Sequence, residues 1–74
     1  MKIKDIPEYV LNPRYKMTHI MAAEVEGGLF QYRRCFPSKG ASTRRLNEVR
    51  RLYPHIHFEV TSIEDIKNGT HEQI

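Results

Sequence analysis

The sequence predicts a small α+β domain of β-β-α-β order, with a three-stranded antiparallel sheet packed on one helix. Three observations carry this. Two alternating runs flank Gly27-Gly28, residues 43–53 repeat apolar side chains at helical spacing, and HIHFEVTS alternates with period two. The chain has 74 residues and reads as one domain, 1–74. It divides into an irregular segment 1–15, a ββαβ core 16–62, and a short helix with a frayed tail over 63–74.

In the N-terminal segment, Pro7 and Pro13 punctuate the chain. Met1 to Ile6 suits a short edge strand, and PEYVL one helical turn. MTHIMAAEVEGGLFQYRRCF then reads as a hairpin, because Gly-Gly tolerates the positive φ angles of a two-residue turn. A straight register from that turn pairs Val25 with Phe30, Ala23 with Tyr32, Met21 with Arg34 and His19 with Phe36. Those eight share one mostly apolar face, with Arg34 the misfit. Glu24, Gln31, Ala22, Arg33, Ile20 and Cys35 fall on the other, solvated or partner-facing side.

The helix is expected from Thr43 to Tyr53, with Ser42 as N-cap and Leu46, Val49, Leu52 and Tyr53 as its buried stripe. Pro54 ends it, since the residue before proline is pushed out of the α region. In HIHFEVTS, Ile56, Phe58 and Val60 point inward, away from His55, His57, Glu59 and Thr61. This strand is placed beside the first hairpin strand, giving order 2-1-3. Ser62 starts a short final helix that Asn68-Gly69 stops.

A chain this short buries only roughly 60% of its unfolded surface, so a homodimer is one route to extra stability. Cys35 is the only cysteine, which fits a reducing compartment. MKIKDIPEYV lacks the apolar run of a signal peptide or membrane span, so a soluble cytoplasmic protein is expected.

Charge is unevenly placed. Residues 1–30 are balanced; residues 31–53 carry six arginines and Lys39 against Glu48 alone; residues 54–74 are acidic. The arginines come as Arg33-Arg34, Arg44-Arg45 and Arg50-Arg51. If the helix starts at Thr43, then Arg44 and Arg45 sit in the first turn, where the dipole disfavours cations. With Lys39, Ser42 and Thr43 they would surround free N–H groups, a ready anion site. The bland alternative lays Arg45 over the sheet and pairs Arg44 with Glu48. Arg50 and Arg51 lie in the last turn, which welcomes cations.

The expected function is therefore a small basic non-enzymatic nucleic-acid-binding module, for DNA or RNA. Its contacts would be Lys39, Ser42, Thr43, Arg44, Arg45, Arg50 and Arg51, with Arg33 in support. The alternative is a protein-binding adaptor or inhibitor, of the phage or mobile-element type, docking on an acidic protein surface. A third option is a toxin-like RNase using His57 and Glu59 as an acid–base pair. Cys35, His55 and His57 make a weak zinc set with no fourth ligand. No cofactor, metal or catalytic residue is assigned, and no membrane partner is expected.

Overall fold

The computed structural model describes residues 1–69 and the backbone of 72–73. The elements are β1 (Lys2–Lys4), two 3-10 turns (Glu8–Leu11 and Pro13–Tyr15), β2 (His19–Glu26), β3 (Leu29–Phe36), α1 (Lys39–Leu52), β4 (Phe58–Ser62), α2 (Ile63–Lys67) and β5 (Glu72–Gln73). They build one α+β sheet of order β4-β2-β3-β1-β5. The expected three-stranded antiparallel sheet is thus too small. Its three strands keep their expected neighbours, with β2 antiparallel to both β3 and β4, but β1 adds on parallel to β3 and β5 adds on parallel to β1. The short strand expected within Met1 to Ile6 is present as β1, but it lies between β3 and β5 rather than at an edge; three residues are too short to show a period that would place it. Its central Ile3 is fully buried and pairs with Phe30.

The hairpin register follows expectation at both ends and departs from it between them. His19, Ile20 and Met21 face Phe36, Cys35 and Arg34, and Glu26 faces Leu29 across Gly27-Gly28. Gly28 has φ +80°, which only glycine adopts freely. In the middle, Ala22 faces Tyr32, Ala23 faces Gln31 and Glu24 faces Phe30. Two one-residue bulges produce this slip, leaving Arg33 extra on β3 and Val25 extra on β2.

The slip moves Phe30 and Tyr32 to the opposite face from the one the straight register gives them. There Phe30 joins Ile3, Ile6, Val10, Ile20, Ala22, Ile63 and Ile66 in a buried cluster, with Tyr32 and Cys35 packed against it. The face expected to be solvated is therefore a second core, covered by the N-terminal segment and α2. Burial, and then a hydrogen bond with Cys35, push the Tyr32 phenol well above the usual tyrosine range. The cover is held by local chemistry. Asn12 caps the second 3-10 turn through Arg14 N (3.0 Å), and Tyr9 meets Tyr15 edge to face at 4.9 Å. Asp5, at φ 64°, turns the chain out of β1 and accepts a bond from Gln31 Nε2 at 2.9 Å. Ser62 caps α2 by accepting from Asp65 N at 3.1 Å, and Gly69 follows its end at φ +81°.

On the other face α1 covers Met21, Ala23, Phe36 and Phe58 with Val49, and Ala41, Leu46, Ile56 and Val60 pack at the margin. The helix is longer than the sequence suggests. It begins at Lys39, with Ser38 as N-cap accepting from Ala41 N at 3.1 Å. Ser42 is fully buried in the stripe and donates to the Lys39 carbonyl at 2.7 Å. The strand expected from His55 begins only at Phe58; residues 53–57 form an irregular connection. Among the described residues no helix is long and apolar enough to cross a membrane.

Candidate functional site

The basic residues do not form one patch. They distribute around α1, and the register of β3 decides which of them meet. Because α1 starts at Lys39, Arg44 and Arg45 lie in its second turn, beyond the free N–H groups. The anion site expected at the helix start is not assembled. The hydroxyl of Ser42 is enclosed, and Ser38 already caps the first turn.

Arg44 and Arg51 are exposed on the outer surface of α1. Lys39 and Thr43 border a hollow toward β4 with His19, Ser62 and Asp65. Arg50 reaches across to the Phe58 carbonyl at 3.5 Å. On the opposite flank, Arg33 and Arg45 are brought together, and Arg34 joins them. These three arginines line a cleft of about 340 Å³ between α1 and the sheet, whose other walls are Met21, Val49, Tyr53, Ile56 and Phe58.

The bulge explains why neighbouring Arg33 and Arg34 both serve this cleft. In a regular strand consecutive side chains point to opposite faces; an extra residue lets two successive ones share a side. Arg34 therefore needs no acidic partner inside a core. It lies over the Phe36 ring, 5.4 Å from the centroid, in cation–π contact. Arg33 is steadied by Gln31 Oε1 at 2.8 Å, and Gln31 in turn by Asp5. Arg45 pairs with Glu48, the partner expected for Arg44. Its Nε is buried without an acceptor, so the guanidinium is only partly satisfied. Across from it, Tyr53 leans on Phe58, with ring centroids 6.4 Å apart and planes at 49°. No carboxylate is among the cleft-lining side chains. The arrangement is three cations above an apolar and aromatic floor.

Arg34 was absent from the sequence-based site, although its misfit in the straight register was the signal that could have found it. Tyr53 and Phe58 carried no signal beyond core periodicity.

A second constellation lies at the hairpin end of the other sheet face. His57 Nε2 meets Glu59 Oε1 at 2.6 Å, and its Nδ1 meets Glu24 Oε1 at 3.3 Å. Phe30 packs on the ring edge to face at 5.3 Å. The bond to Glu59, then that to Glu24, hold the imidazole above its usual range. Glu24 is held below the usual carboxylate range, first by the Gly28 N–H (2.8 Å) and then by His57. Both ring nitrogens of His57 are thus engaged by carboxylates. The array ties the hairpin turn to β4. His55 stands outside it, and among the described residues no His, Cys, Asp and Glu group has metal-binding geometry.

No protein-family model, no curated protein and no solved structure matches this chain.

Proposed function

We propose that this protein is a small non-enzymatic module that binds nucleic acid, with the cleft between α1 and β3 as its principal contact. One observation carries the reading: Arg33, Arg34 and Arg45 come from two separate elements to line one cleft, where Glu48, outside the lining, is the carboxylate paired with Arg45. Guanidinium groups offer bidentate hydrogen bonds to phosphate and keep their charge at any physiological pH. Arg44 and Arg51 on the outer face of α1, with Lys39 at its start and Arg50 on the far flank, extend the positive surface, and the Thr43 hydroxyl in the second turn adds a polar group for further backbone contacts.

The test is fluorescence anisotropy with labelled DNA and RNA, single- and double-stranded, across a salt series. Affinity should fall steeply with salt through counterion release. An Arg33→Ala/Arg34→Ala/Arg45→Ala variant should lose most binding, and an Arg44→Ala/Arg51→Ala variant less. Absence of binding to every probe at low salt would overturn the reading and direct attention to an acidic protein surface.

A further inference from the structure

The cleft holds more than charge, and its floor narrows the class of ligand. Resting on the nucleic-acid reading above, we infer that the cleft seats one unstacked base of a single strand, with the flanking phosphates on Arg33, Arg34 and Arg45. A site for phosphates alone needs cations, not an apolar floor. Here Met21, Val49, Ile56 and Phe58 form that floor beneath the arginines. Tyr53 stands at the wall 46% exposed, an aromatic surface that the helix end leaves uncovered.

A duplex keeps its base faces in its own stack, so it offers phosphates to the arginines and nothing to the floor. A single strand offers both. Bases stack on aromatic rings and on arginine planes without regard to sequence, because every base has a π face. The volume, about 340 Å³, sits at the small end of ligand pockets. That suits one base rather than a run. The enclosed Nε–H of Arg45 lacks an acceptor, and base carbonyls or phosphate oxygens supply acceptors once the side chain shifts toward the ligand.

The position of the cations supports this division of labour. Arg33 and Arg34 are exposed at the β3 side, while Arg45 is half-buried on α1. The arginines thus stand on both banks of the cleft, where a backbone passing over an inserted base would run. Charge complementarity selects an anionic ligand, and the exposed Tyr53 ring favours the strand over an acidic peptide, because a peptide carboxylate on an aliphatic stem has no flat face to stack on it.

The experiment compares four labelled probes of one length on the full chain: single-stranded DNA, single-stranded RNA, the duplex, and a single strand whose central nucleotides are abasic. The abasic strand keeps the phosphates and lacks only the bases. Expected is binding to both single strands roughly tenfold tighter than to the duplex or the abasic strand, with Tyr53→Ala costing a similar factor on the single strands alone. Tyr53→Phe should keep the affinity, and melting curves check that both variants fold. If the abasic strand or the duplex binds as tightly as the intact single strand, the inserted base is wrong and the phosphate reading survives. If no probe binds while a poly-glutamate peptide does, and the triple arginine variant abolishes that, both readings fall.

Discussion

The two faces of the sheet divide the molecule's work unequally. One is covered by short, irregular pieces, the 3-10 turns and α2, and it holds the larger buried cluster, with Ile3, Val10 and Ile20 almost wholly enclosed. The other is covered by the longest helix and holds the smaller cluster, with an open cleft along one flank. Regular covering structure is therefore no guide to where the core is deepest. A straight helix laid on a twisted sheet diverges from it at the flanks, whereas irregular chain can follow the surface. The irregular face supplies stability; the helical face is left with room for a ligand.

The sharpest way to break this comparison is to truncate neighbours on β2 that point opposite ways. Ile20→Ala, on the irregular side, should cost about 4 kcal/mol, near the whole stability of a domain this size. Met21→Ala, beneath α1, should cost about 2 kcal/mol, since its surroundings border an open cleft and its side chain is flexible. Urea unfolding of both variants decides the matter. Equal losses would show that the two faces are alike.

The arginine face should respond in binding and hardly in stability. Removing Arg33, Arg34 and Arg45 together should reduce the salt slope of single-strand binding by about 2, at roughly 0.7 per phosphate neutralised. The urea midpoint should fall little, because Arg33 and Arg34 are exposed and the half-buried Arg45 gives up one partly exposed ion pair with Glu48. A large drop in that midpoint would mean that the cleft is structural.

The His57 array predicts a pH profile that belongs to the irregular face. The folded protein holds the imidazole proton more tightly than the unfolded chain does. The stabilisation is thus complete below the unfolded histidine pKa, about 6.5, and is lost as pH rises through the raised folded value. Glu24 works at the acid end. Its depressed pKa gives stabilisation present above the ordinary carboxylate range and lost as pH falls through the folded value. His57→Gln should flatten the alkaline limb of a plot of unfolding midpoint against pH; an unchanged limb would assign it to another group.

The smallest expected effect is a gain. Gly40 lies in the first turn of α1, and a methyl group added there meets no atom within 4 Å. Gly40→Ala should therefore stabilise by about 0.5 kcal/mol, read by thermal melting.

Much of the fold was legible in the sequence because its signals are local. Gly27-Gly28 marked the turn, Pro54 the helix end, Phe58 and Val60 the strand face, and Ser62 with Asn68-Gly69 the last helix. What escaped depends on non-local competition. Ser38 and Ser42 are both acceptable N-caps, and the choice falls to Ser38 because Ser42 occupies a stripe position against the sheet. Ile3 and Val10 cover a face that the hairpin pattern, taken alone, leaves to solvent. Once they do, Phe30 and Tyr32 gain more by turning toward them than by facing α1, and the ladder slips to allow it. The candidate cleft depends on the same slip. Arg34 shares the α1 face even in the straight register, as its misfit there signalled, whereas Arg33 falls on the opposite face and reaches the cleft only through the bulge.

That slip also says how the hairpin can be edited. Without its two extra residues, Val25 and Arg33, the ladder would run straight with every other side chain on the face it now occupies. Deleting Arg33 therefore leaves Phe30 and Tyr32 over Ile3, and Arg34 beside Phe36. In Arg33 the chain carries a cation that the architecture does not require.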